Sequence, residues 1–171
     1  MAGTTTLLTL TQRLTEHAAE ASTQSVSKTL TLTAEERTRS RHTFTADDGS
    51  LVCLHLPRGT VLRDGDLLYG ATEERVRIQA KAEPVYTVSA KTPYDLLRAA
   101  YHLGNRHVSL EVTSTYLRLT PDTVLKDMLL AMGLDVHEDV QPFHPEAGAY
   151  AQGHSHAQHS PLSTGQEPEN P

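Results

Sequence analysis

The sequence predicts an α+β chain in three stretches: mostly strand over residues 1–84, two helices alternating with strands over 85–147, and a tail over 148–171 that forms no core. Three observations support this. Short runs rich in Thr, Val and Leu sit between turn signals in the first stretch. Two Thr-Pro pairs, Thr92-Pro93 and Thr120-Pro121, each precede apolar residues at helical spacing. The last stretch carries Gly, Ser, Gln, Pro and His and almost no apolar side chain.

Within residues 1–84, LVCLHL (51–56) follows Asp48-Gly49 and stops at Pro57, as a strand bounded by turns does. Arg63-Asp64-Gly65-Asp66 forms another turn, between TVL and LLYG. ERVRIQAKA places Val76, Ile78 and Ala80 on one face and Arg75, Arg77 and Gln79 on the other, the period of a half-buried strand. Residues 12–42 are ambiguous, and AEERTRSRH (34–42) reads as a short helix or a charged loop.

Within residues 85–147, VYTVSA is a strand. Thr92 caps a helix with Pro93 at its first position, running to about Leu103, with Leu96, Leu97, Ala100 and Tyr101 on its apolar side. Gly104-Asn105 supplies the stop. VSLEVTS is a strand with Val108, Leu110 and Val112 inward, and Ser114-Thr115 turns the chain into YLRLT. Thr120 caps a second helix, striped by Val124, Leu125, Met128, Leu129 and Met132 and ended by Gly133, and LDVHEDVQPF is the closing strand. The order β-α-β-β-α-β is the ferredoxin-like, split βαβ arrangement. Residues 148–171 bury too little surface to offset ordering entropy and read as a disordered tail.

Composition excludes several function classes. The net charge of -6 gives no electrostatic footprint for nucleic acid or an anionic membrane. No run of about 18 apolar residues is present to span a bilayer. The N-terminus lacks the charged and apolar regions of a signal peptide, and the single cysteine, Cys53, cannot form an internal disulfide, so a cytoplasmic address is expected. Enzyme motifs are missing: no Walker A pattern, no G-x-S-x-G, and His137-Glu138-Asp139-Val140-Gln141 puts Gln141 where a zinc protease needs its second histidine. Cys53 lies inside an apolar run and reads as a packed core thiol. Asp47-Asp48 and Asp64/Asp66 flank glycines and read as turn residues. The chain has ten histidines, three of them, His154, His156 and His159, close together near the C-terminus. Neutral imidazole suits nickel, copper and zinc.

YHLGNRHVSLEV (101–112), VLKDML (124–129) and PFHPEAGAYAQGHSH (142–156) together resemble the UreE family of urease accessory proteins, and PRGTVLRDGDLL (57–68) matches more loosely. The GNRH element and the P-x-x-PEAGAY segment are specific as a pair. The resemblance implies a β-rich N-terminal domain similar to a chaperone peptide-binding domain (1–84), a ferredoxin-like metal-binding domain (85–147) and a histidine-bearing tail. It implies a homodimer in which His107, the histidine of GNRH, meets its symmetry mate and binds Ni(II), with His154, His156 or His159 completing the coordination. The metal would pass to a UreG-type GTPase and the urease maturation complex. The segment LTPDTVL lacks the extra histidines that some members carry before the second helix, and three tail histidines are few for nickel storage.

Physical reasoning fits that implication. A single imidazole is a poor site, but an isologous interface presents it twice. Nickel then wants more ligands, and six residues from Gly148 to His154 reach at most roughly 20 Å. His102 reads as a helix-end residue favoured by the carboxyl dipole, His144 as structural, and Asn105 and Arg106 as shaping the turn. Two other functions stay open: a zinc or copper buffer, since the same imidazoles bind those metals, and a peptide-binding module to which the tail is incidental.

Overall fold

The computed structural model describes residues 7–14, 26–72 and 74–147. The tail 148–171, with its expected disorder and its three histidines, lies outside the described residues.

The first sheet contains β1 (Leu8–Leu14), β2 (Lys28–Leu32), β3 (Arg41–Thr45), β4 (Leu51–His55), β5 (Leu67–Gly70) and β6 (Arg75–Ala80), in the order β2-β6-β5-β1-β4-β3. β1 pairs parallel with β4 and β2 parallel with β6; the other pairs are antiparallel. The sheet nearly closes on itself because Asp47, in the turn after β3, reaches the far edge. Its N–H donates to the Thr29 carbonyl (3.0 Å) and its carboxylate accepts from the Thr31 hydroxyl (2.7 Å). Val76, Ile78 and Ala80 are buried, as their alternation predicts. Asp48 and Asp66 serve their own turns, accepting from Ser50 N–H (2.9 Å) and Arg63 N–H (2.8 Å), whereas Asp64 ties its turn to the end of β6 by accepting from Ala80 N–H (2.7 Å). Burial pushes the Asp66 carboxyl above its ordinary range. The ambiguous stretch 34–42 resolves into one 3-10 turn, Glu36–Thr38, leading directly into β3. Cys53 is half-buried and not a core thiol, because alternation along β4 sends Val52 and Leu54 inward and Cys53 to the other face.

The second sheet follows without a break. β7 (Ala82–Ser89), α1 (Pro93–Gly104), β8 (Leu110–Val112), β9 (Leu117–Leu119), α2 (Thr123–Ala131) and β10 (Asp135–Pro142) give the sheet order β10-β7-β9-β8, all antiparallel. This is the ferredoxin-like topology expected from the sequence. Val88, Leu96, Ala99, Leu103, Leu117 and Leu129 lie at the centre of its core.

Four details differ from the sequence reading. On α1 the buried positions are Leu96, Ala99 and Leu103, while Leu97 and Tyr101 point away from the core. Apolar residues occupy two faces of that helix, and periodicity alone does not say which face packs inward. Val124 is likewise exposed on α2, where Leu129 is buried. The second helix is capped by Asp122, whose carboxylate accepts from Leu125 N–H (2.9 Å), and not by Thr120. On β8, Leu110 faces the core, but Val112 is exposed and Glu111 is buried.

Glu111 is buried because the chain after β10 turns back across the sheet face opposite the helices. Phe143 is 2% exposed and packs with Ala34 of the first sheet's connection and Val85 of β7. Its carbonyl accepts from the Arg37 guanidinium. His144 N–H donates to Glu111 Oε2 (2.8 Å), and Glu146 N–H donates to the Leu110 carbonyl (2.8 Å). Residues 143–147 thus form a strap from the β10 edge to the β8 edge. Glu83 adds a second tie between the sheets by accepting from Ala34 N–H (2.7 Å).

Phe143→Ala removes the largest side chain of that joint. It should lower unfolding stability by about 3 kcal/mol, the low end for a buried Phe because its cluster is small. Urea denaturation checks this; a change under about 1 kcal/mol would show that Phe143 does not hold the joint.

Candidate metal-binding site at the end of the first helix

α1 starts where the sequence predicts. Thr92 is extended (φ -129°), its hydroxyl oxygen accepts from Asp95 N–H (3.2 Å), and Pro93 occupies the first helical position. The end is more informative. His107 N–H donates to the Gly104 carbonyl (2.9 Å) and Val108 N–H to the Leu103 carbonyl (3.3 Å). These two bonds are the Schellman termination. α2 ends with the same pair, Gly133 N–H to the Leu130 carbonyl (2.9 Å) and Leu134 N–H to the Leu129 carbonyl (3.2 Å).

The motif requires one left-handed residue. In α2 that residue is Gly133 (φ 82°), as expected. In α1 it is His107 (φ 55°), not Gly104, and His107 is the only non-glycine residue with positive φ among the described residues. A side chain in that conformation costs about 1–2 kcal/mol. Arg106 shapes the turn by donating from Nη1 to the His102 carbonyl (2.9 Å), as its place near the helix end suggests.

The result is an exposed imidazole on a rigid corner. The same helix presents Tyr94 (70% exposed), Leu97 (69%) and Tyr101 (67%) at i, i+3 and i+7, one continuous apolar face leading toward His107. His102 is half-buried, with its ring against Tyr101. Among the described residues no group of three or more His, Cys, Asp or Glu is placed to hold a metal ion. His107 therefore stands alone, and His154, His156 and His159 lie outside the described residues. His144, read as structural, has an exposed side chain while its N–H is held by Glu111.

Sequence reasoning passed over Glu111. Its Oε1 takes Tyr116 Oη–H (3.0 Å) and lies 3.4 Å from Arg118 Nη1, and Oε2 takes the strap N–H. Burial, then the Glu111 carboxylate, pushes the Tyr116 phenol up. A charged residue alternating with apolar ones in a three-residue strand gives little sign of facing inward.

Fold and site define an α+β protein with an exposed imidazole, His107, at the end of a helix that carries an exposed apolar face. Comparison with known proteins gives the family. Residues 10–81 match the N-terminal domain model of the UreE urease accessory protein, and residues 83–167 match its C-terminal domain model. Proteins named urease accessory protein UreE are similar over most of this chain. One from a Nostoc species is 55% identical over 88% of this chain and 100% of its own length. One from Nostoc punctiforme is 61% identical over 75% and 88%, and one from Microcystis aeruginosa is 50% identical over 86% and 95%. The chain belongs to the UreE family of urease accessory proteins. Members are accessory, chaperone-type proteins and not enzymes, in keeping with a role in urease maturation. Among the described residues no helix is long and apolar enough to cross a membrane.

His107→Gly relieves the left-handed strain at the cost of a more flexible unfolded chain. The metal-free variant should be about 0.5–1 kcal/mol more stable than the parent in urea denaturation. A loss of stability would show that the imidazole itself holds the corner.

Proposed function

We propose that this protein carries Ni(II) for assembly of the urease metallocentre, binding it between two copies of the chain at paired His107 side chains. The observation that carries this reading is the strained, exposed His107 beside the exposed face of Tyr94, Leu97 and Tyr101. Large apolar side chains left in water on a rigid helix favour burial against another surface. A two-fold contact through that face would bring two His107 residues together, since an isologous interface repeats each residue.

Two imidazoles leave coordination positions open. The strap supports a role for the tail here. Glu146 is bonded to Leu110, three residues beyond His107, so the tail departs close to the proposed site. Eight extended residues from Glu146 to His154 span at most roughly 27 Å. His154, His156 or His159 would supply the remaining ligands, and the ion would pass from them to a UreG-type GTPase within the cytoplasmic urease maturation complex. In this reading residues 85–147 bind metal, 148–171 form the arm and 1–84 engage protein partners. Zn(II) and Cu(II) compete for the same imidazoles, copper the more tightly by intrinsic preference.

Isothermal titration with Ni(II) tests the proposal. The parent should bind one tight ion per two chains, and His107→Ala should abolish that event. Leu97→Glu should give a monomer by analytical ultracentrifugation and lose the same event with His107 intact. Unchanged tight binding in His107→Ala would remove the site.

A further inference from the structure

We infer that the outer edge of β10 is a docking site for an extended, basic segment of another protein, which adds a strand to the second sheet. Binding there needs no metal ion and stands apart from the reading of His107.

β10 is eight residues long and, among the described residues, pairs with β7 alone. The opposite edge of the sheet fixes which of its backbone groups face outward. The Leu110 carbonyl takes the strap N–H of Glu146, so Leu110 turns its backbone away from β9. Alternation along antiparallel ladders then turns the backbones of Glu111 and Arg118 toward each other, next Leu119 and Tyr86, and next Val85 and Asp139. Pro84, which has no N–H, accordingly falls on the β9 side of β7. The N–H and C=O groups of Val136, Glu138 and Val140 therefore point away from the sheet, and Pro142 ends the row without a donor. An edge of this kind accepts a further strand.

The two faces of β10 select different side chains on that strand. On the helix face Val140 is 65% exposed and, with Pro84, Tyr86 and Pro121, borders an open hollow of about 360 Å³. Lys126 of α2 donates to Glu138 (2.8 Å), which sets that flank of the helix beside β10, and Leu130, one turn on, is 48% exposed there. On the other face, shared with Val85, Asp135 and Asp139 flank His137, and among the described residues neither forms an ion pair. An added strand would place apolar residues toward Val140 and Leu130 and bases toward Asp135 and Asp139, in alternation. Residues 122–142 carry five carboxylates, Asp122, Asp127, Asp135, Glu138 and Asp139, and one base, Lys126, a field that attracts such a segment. A second copy of the chain fits poorly. Two-fold pairing centred on His137 opposes Asp135 to Asp139, and pairing centred on Glu138 opposes that carboxylate to itself.

The test uses the full chain and two capped peptides of about seven residues, one alternating Lys and Val, the other Glu and Val. Hydrogen exchange followed by NMR should find the Val136, Glu138 and Val140 amides exchanging freely in the protein alone. Saturating Lys-Val peptide should slow all three roughly ten-fold or more and leave the His137 amide, already inside the sheet, unchanged. The Glu-Val peptide should slow none of them. Asp135→Lys with Asp139→Lys should reverse the preference, so that the Glu-Val peptide protects the three amides. Asp135→Lys alone, at an exposed position, should weaken Lys-Val binding several-fold. Amides already protected in the protein alone would show that the chain covers its own edge, and protection that grows with protein concentration would show that a second copy does; either overturns the inference. So does failure of the Lys-Val peptide to bind, binding that leaves the three amides exchanging freely, or binding unchanged by the charge reversals.

Discussion

The reversal at the end of α1 sets the second half of the molecule. The Val108 N–H must reach the Leu103 carbonyl for the chain to leave the helix and enter β8. That one bond requires a left-handed residue at 107 and turns Val108 toward the core. It also starts β8 at Leu110, opposite Leu119, and thereby puts Glu111 on the face away from the helices. A shift of one residue would bury Val112's neighbours differently and remove the acceptor that the strap uses. The exposed imidazole and the buried carboxylate, four positions apart, are two consequences of the same turn.

Histidine in place of glycine at such a turn gives up stability for rigidity. Glycine, used at the matching position of α2, would relieve the backbone but present no side chain. The backbone at 107 is held by a helix end, a reversal and a strand start, which fixes where the imidazole leaves the chain.

Much of the fold was legible in the sequence. Thr92-Pro93 marked the start of α1, Gly133 marked the end of α2, and alternation at Val76, Ile78 and Ala80 marked β6. The β-α-β-β-α-β order followed from these signals. The errors came where one pattern had two physical solutions. α1 is apolar on two faces, so Leu97 and Tyr101 read as core when they are exposed. Asp122 and Thr120 both suit a helix start, and the nearer residue to the first turn made the bond. Gly104 was the expected stop, but it is the last helical residue, and the left-handed position falls three residues later at His107. Glu111 was hidden because its partner lies 33 residues away, on a strap that no local pattern announces. His107 itself stood out only through the GNRH element; the structure supplies its conformation and exposure.

The most direct measurement is anomalous X-ray scattering at the nickel edge from crystals of the nickel-loaded full chain. The account predicts a single strong peak on a two-fold axis between two chains, within ligand distance of both His107 imidazoles. A peak bound only to one chain, or one remote from His107, would contradict it.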